Sequence, residues 1–245
     1  LESLDGESTV LIEGFIEGKE FSCIVSQNNS GNPVALPPTE IRKGKELFDY
    51  RSKYLPGLSR KITPIDIPDE QINSIRKECE RLFVALNFDV YARIDGFIEN
   101  DGTVFLNDPN TTSGMMPSSF FFHQAAEIGL NPSQFLTYII RTSLAQRIKR
   151  ANNNRKYDGL LAKLDEAIKA DMAGVSDKIK IAVIFGGYSS ERHISVESGR
   201  NIFEKLASST KYSPVPVFLT GDSNSHELFQ IPINLSLIHI SEPTR

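Results

Sequence analysis

Cysteine is scarce in this sequence of 245 residues, basic charge is not in excess, and long apolar runs are absent. The two cysteines, Cys23 and Cys79, lie far apart, the first in an apparent strand and the second on the apolar face of a helical pattern. They read as two buried free thiols rather than a disulfide, which fits a reducing cytosol. A formal net charge of −4 provides no basic surface of the kind that drives nucleic-acid binding. No apolar run approaches a membrane span, and the first residues do not read as a signal peptide. The expected setting is therefore the cytoplasm, with neither nucleic acid nor membrane as partner. Hydrophobic residues make up 40% of the chain, enough for a real core in one large or two modest domains.

What is present centres on ARIDGFIENDGTVFLNDPNTTSGMMPSS, residues 92–119. Asp101-Gly102 between two apolar runs is a strong hairpin signal, because both turn positions tolerate positive φ. A two-residue loop there sets Asn100 opposite Thr103, Asp95 opposite Asp108 and Arg93 opposite Asn110. Side chains alternate along a strand, so those last four share one face. Two carboxylates directly opposite each other repel. A divalent cation between them removes the repulsion, and Asn110 adds a carbonyl oxygen. Such an all-oxygen set suits magnesium, with manganese as an alternative. Arg93 beside it can grip an anion with two N–H groups. The pattern points to a metal-nucleotide site for phosphoryl chemistry. A longer loop would shift the register and leave two solvated acids.

Along the rest of the chain, residues 8–25 read as two strands around Glu17-Gly18, with apolar faces at Val10 and Ile12 and then at Phe21, Cys23 and Val25. Residues 33–57 form a long, charged, proline-bounded segment, either a functional lid or a solvated loop. Residues 69–86 predict an amphipathic helix capped by Asp69, with Ile72, Ile75, Cys79, Leu82, Phe83 and Leu86 on one stripe. Strand 89–98 follows, with Val90, Ala92, Ile94 and Ile98 turned toward that helix. After the hairpin, Ser118 or Ser119 suits the N-cap of a helix ending near Gly129, and Asn131-Pro132 starts another running to about Arg150. Residues 151–177 read as a helical interdomain linker. At Lys178 a new domain begins, with strand KIKIAVIFGG, a loop from Tyr188 to His193, and a helix over 195–206. GGYSS lacks the third spaced glycine of a dinucleotide site.

Arg93-Ile94-Asp95, the hairpin, Asp108, Asn110-Thr111, Gly114-Met115 and Ser119 together resemble the last motif of the ATP-grasp ligases. The resemblance is greatest to D-alanine–D-alanine ligases. In that family the pattern runs Arg-x-Asp, hairpin, Glu-x-Asn-Thr, Pro-Gly-Met, Ser. Here Asp108 stands for the usual Glu, Pro109 for a small residue and Ser113 for Pro. The resemblance implies metal ligands Asp95, Asp108 and Asn110, and an oxyanion held by Arg93 and the Gly114 N–H. It implies that Ser119 holds the carboxylate of a second D-alanine. Residues 8–25 are similar to the family's adenine hinge. By that likeness Glu13 sits beside the adenine, Phe15 walls its pocket and Glu20 accepts from the ribose hydroxyls; the residues alone equally allow a charged hairpin tip. Phe48-Asp49-Tyr50 with Lys53-Tyr54 is similar to the family's lid, which makes Lys53 a phosphate contact and Tyr54 the residue that closes over the first D-alanine.

FGGYSSERHISVESG resembles the opening of the same family, where the Glu after the serines, here Glu191, binds the first D-alanine ammonium. His193 reads as structural. The implied fold is an α+β ATP-grasp C-terminal lobe over 1–150 (antiparallel sheet with helices), then the linker, then an incomplete α/β Rossmann-like pre-ATP-grasp domain over 178–234. The end of one ligase thus precedes the start of another, as in two units fused in tandem; circular permutation is the alternative. Leu1 is not a start methionine, and the chain reads as a fragment lacking the first ATP-grasp lobe, inactive alone. LSLIHISEPTR, residues 235–245, resembles a translated sequencing adapter. The implied reaction joins two D-alanines through an acylphosphate, with ATP and Mg2+, in a cytoplasmic enzyme that is commonly a homodimer. Rival readings are an ATP-grasp ligase for another carboxylate and amine, and a non-catalytic binding half.

Overall fold

The computed structural model describes residues 14–43, 59–116, 119–150, 155–173 and 178–231. The elements are β1 (Gly18–Gln27), β2 (Pro33–Ala35), β3 (Thr39–Lys43), β4 (Ser59–Ile62), α1 (Asp69–Ala85), β5 (Tyr91–Glu99), β6 (Val104–Asn110), α2 (Phe120–Glu127), α3 (Pro132–Arg150) and α4 (Arg155–Ala173). Then come β7 (Ile179–Gly186), α5 (Arg192–Ala207), β8 (Tyr212–Gly221) and β9 (His226–Gln230). The first six strands form one antiparallel sheet in the order β4-β3-β1-β5-β6, with β2 also pairing β1.

Period-two alternation divides β1 and β5 between two cores. Phe21, Cys23 and Val25 of β1 and Ala92, Ile94 and Ile98 of β5 pack with Ile75, Cys79 and Phe83 of α1. Ile24 faces the other way, onto Phe121, Phe122 and Ala125 of α2 and Phe135 and Ile139 of α3. Full burial of each such aromatic or branched side chain contributes roughly 1.5–3 kcal/mol. The two cysteines are free, buried and in contact across the first core, where the neighbouring Cys23 thiol and then burial raise the pKa of Cys79.

Several expectations are corrected in detail. Asp69 is the first residue of α1 rather than its cap; Pro68 holds the cap position, and the Asp69 carboxylate instead complements the helix dipole. Leu86 lies at the C-terminal cap and is 46% exposed, beyond the stripe. Val90 does not face α1. Its φ of 65° turns it toward the α2–α3 core, where the Gln27 side chain accepts its N–H at 2.8 Å. Residues 14–17 are irregular and β1 begins at Gly18, while residues 8–13 of the expected first strand lie outside the described residues.

The start of α3 is as the sequence implies. Asn131 Oδ1 accepts from the Gln134 N–H at 2.9 Å and Gln134 Oε1 accepts from the Asn131 N–H at 3.0 Å, a reciprocal capping box. The stretch expected to be a linker contains α4, which packs along α3 through an Arg141–Asp165 ion pair at 2.7 Å.

The last three strands form a separate sheet, with β8 between a parallel β7 and an antiparallel β9. Strand, crossover helix and parallel strand make the expected Rossmann-like unit. The crossover helix α5 begins at Arg192, three residues before the predicted start. At Gly199 a Cβ would lie 2.4 Å from the Phe185 Cβ, so that glycine lets α5 lie close on β7.

Candidate functional site

Asp95 pairs with Asp108 and Arg93 with Asn110, so the four side chains share one sheet face as the residue pattern implies. The route to that pairing differs from the sequence reading. The loop has three residues, 100–102: the Glu99 N–H donates to the Thr103 carbonyl at 3.0 Å and the Gly102 N–H to the Glu99 carbonyl at 3.0 Å. Gly102 takes φ of 90°, the geometry of a tight turn closed by a positive-φ residue. Near the tip, Ile98 pairs with Val104 and Gly96 with Leu106. A bulge at Asn107 then moves the register by one and restores Asp95 opposite Asp108. Gly96 faces the bulge because a Cβ there would stand 2.2 Å from the Phe105 carbonyl oxygen and 2.8 Å from Phe21.

The Arg93 fork is engaged within the protein. Its Nε donates to Asp95 Oδ1 at 3.1 Å and Nη2 to Asp95 Oδ2 at 2.8 Å. Ser22, fully buried on β1 directly opposite Asp95, donates its hydroxyl to Oδ1 at 2.7 Å. Burial raises the Asp95 pKa; the Ser22 hydroxyl and the Arg93 charge oppose that shift, and Asp108 adds to it. Asn110 donates its side-chain N–H to the Asp108 carbonyl at 3.0 Å. The donors facing one another are two carboxylates and an amide, hard oxygen ligands that fit Mg2+. Among the described residues no group of three His, Cys, Asp or Glu gathers as an alternative centre.

Ser22 is held by a residue that the sequence reading passes over. Gln124 of α2, fully buried, accepts from the Ile24 N–H at 2.8 Å and donates to the Ser22 carbonyl at 2.7 Å and to Thr39 Oγ1 at 3.1 Å. It fills the gap where β1 leaves β3 before meeting β2. Lys61 and Phe120 are likewise absent from the sequence-based site. Lys61 Nζ stands 4.6 Å from the Phe120 ring centroid, and the Arg93 guanidinium stands 6.0 Å from the same ring.

Ser119 occupies the N-cap position of α2 without making a side-chain cap bond. Its Oγ is buried and has no hydrogen-bond partner among the described residues, and the same holds for Ser113 Oγ. The loop holding Gly114 is anchored by the Ser113 N–H, which donates to Tyr91 Oη at 3.4 Å. Glu20 lies on the site face of β1, opposite Phe97. Phe15 is 84% exposed and belongs to none of the cores. Glu191 is exposed at the N-terminus of α5, in the separate second sheet unit. His193 is exposed too. Glu13, Lys53 and Tyr54 lie outside the described residues.

The family model for the D-ala D-ala ligase C-terminus matches residues 2–141, more than half of the chain. The chain belongs to the D-alanine–D-alanine ligase family. The model for the D-ala D-ala ligase N-terminus matches residues 180–234, so the family's C-terminal segment precedes its N-terminal one here. A D-alanine–D-alanine ligase from Halalkalibacterium halodurans is 35% identical over 58% of this chain and 47% of its own length. One from Porphyromonas gingivalis is 38% identical over 57% of this chain and 42% of its own. The chain thus spans less than half the length of these relatives. The crystal structure of D-alanine–D-alanine ligase from Bacillus anthracis complexed with ATP is 30% identical, with a TM-score of 0.46 over 56% of this chain and 43% of that one. Among the described residues no helix is long and apolar enough to cross a membrane.

Proposed function

We propose that residues 14–150 carry the metal and oxyanion half of an ATP-dependent ligase that joins two D-alanines through an acylphosphate. The observation that carries this reading is one sheet face that gathers Arg93, Asp95, Asp108 and Asn110 beside the start of α2. Asp95, Asp108 and Asn110 would hold Mg2+, which supplies charge neutralisation for the triphosphate. Arg93, which bonds Asp95 through Nε and Nη2, would turn its fork to an anion when Asp95 serves as a metal ligand.

ATP passes its γ-phosphoryl group to the carboxylate of one D-alanine and leaves as ADP. The amine of the second D-alanine attacks the acyl carbon, and phosphate departs with the C–O bond electrons. Arg93 and the Gly114 N–H stabilise the oxyanion formed in that attack, and the unspent Ser119 hydroxyl receives the second carboxylate. The family resemblance gives nucleotide-contact roles to Glu13, Phe15 and Glu20, a phosphate contact to Lys53 and closure over the first D-alanine to Tyr54.

The inverted order of the two family segments is the order that two ligase units joined in tandem would give across their junction. Glu191 then serves the downstream unit. Two unbonded thiols in contact suit a reducing cytosol. A second reading, a ligase with another acceptor, is favoured by Asp108 and Ser113, which depart from the family pattern. Offering D-alanine, D-lactate and D-serine to the full-length protein with Mg2+–ATP separates the two. The dipeptide D-alanyl-D-alanine is the expected main product, and its absence in favour of a mixed product would replace the first reading with the second.

A further inference from the structure

Tyr91 lies outside every motif read from the sequence, yet period two puts it on the sheet face of Arg93 and Asp95. Its ring packs edge-on against Phe121 of α2, with centroids 5.2 Å apart, and Phe121 is fully buried against Phe122 and Phe135. That packing sets where the hydroxyl at the end of the ring stands. The hydroxyl accepts the Ser113 N–H at 3.4 Å, a long bond of the kind that tightens when substrate completes a site.

Within residues 111–116, Ser113 alone is buried; its neighbours on both sides are exposed. Its own hydroxyl does not explain the inward turn, because Oγ has no hydrogen-bond partner among the described residues. The group that Ser113 spends is its main-chain N–H, which a proline would lack. Proline is the residue of the family pattern at this place. Gly114 belongs to the next peptide unit, only two soft dihedrals from the one that Tyr91 holds. On the other side of the same ring, Phe121 lies two residues after Ser119. A single ring therefore touches both the loop of the oxyanion N–H and the helix start beside the second carboxylate.

We propose that Tyr91 is a positioning residue: through the Ser113 N–H it sets the Gly114 N–H relative to Ser119. The proposal rests on the functional reading above and adds to it a residue outside the family motif. A tyrosine that only packs on Phe121 is the competing outcome.

Steady-state kinetics of the full-length protein with D-alanine and Mg2+–ATP test it, with rates taken per titrated Mg2+–ATP site so that misfolded protein does not count. Tyr91→Phe keeps the ring and loses only the acceptor, and Ser113→Pro loses only the donor. Each should lower kcat roughly 10-fold or more with KM for Mg2+–ATP unchanged, because the oxyanion forms after ATP is bound. The double variant should be no slower than either single one, since both break the same bond. Ser113→Ala keeps the N–H and should restore the rate that Ser113→Pro loses. An unchanged kcat in Tyr91→Phe, losses that multiply in the double variant, or a Ser113→Ala protein as slow as Ser113→Pro would each overturn the proposal. If the wild type forms no product at all, the broader functional reading falls with it, so the two failures are told apart.

Discussion

Leu106 and Asp108 stand two residues apart on one strand yet face opposite sides of the sheet. Leu106 pairs with Gly96 and packs on the α1 core, whereas Asp108 pairs with Asp95 on the site face. Unbroken alternation would put both on one side, and either the Leu106 core contact or the pairing of Asp108 with Asp95 would be lost. Asn107, the bulge residue, resolves the conflict.

That bulge depends on Gly96. Gly96→Ala would drive a methyl group into the Phe105 carbonyl, a backbone atom that cannot swing aside. The expected cost is about 1–3 kcal/mol, seen as a lower denaturation midpoint, with weakened Mg2+ binding from the displaced Asp108. A variant with unchanged midpoint would show that the strands can part there freely.

Ser22 should matter to the metal without touching it. Its hydroxyl orients Asp95 and favours the ionised carboxylate. Ser22→Ala is expected to weaken Mg2+ binding roughly 10-fold, the scale of outer-shell changes at metal sites. Titration of Mg2+ at fixed nucleotide reads this directly, and equal affinity in the two proteins would remove Ser22 from the site.

Gln124 serves the backbone of β1. Gln124→Leu leaves a buried N–H and a buried carbonyl without their partner. Each such group costs about 1–3 kcal/mol, so the unfolding free energy should fall by several kcal/mol. Gln124→Glu keeps the acceptor for Ile24 and loses the donor to Ser22, and should also be destabilised.

These residues mark where the sequence stops being legible. The α1 stripe follows helical period, and Asn131 with Gln134 declares a cap, so both can be read locally. The pairing of Asp95 with Asp108 can be read as well, although two local departures cancel on the way to it: a loop one residue longer than Asp101-Gly102 suggests, and a bulge. No local pattern announces that Gln124 reaches back to Ser22, or that Lys61 arrives beside Phe120, because tertiary packing brings those segments together. Leu86 and Val90 misled for a related reason: each sits where a period ends and the chain turns.

Lys61 also gives stability a pH dependence. Its pKa in the folded chain is lowered, so in the window between that value and the ordinary lysine value the unfolded chain binds more protons. Folding stability from this group therefore rises with pH through that window. The melting temperature of the wild type should rise relative to Lys61→Met between neutral pH and about pH 10. A difference that stays flat or falls would contradict the burial of the charged group.

The central claim is that Asp95 and Asp108 face each other to hold a divalent cation with a nucleotide. Titrating Mg2+–ATP into the full-length protein and into its Asp95→Asn variant tests it most directly. The account predicts binding by the wild type and its loss in Asp95→Asn while the fold persists; equal affinity in both would contradict it.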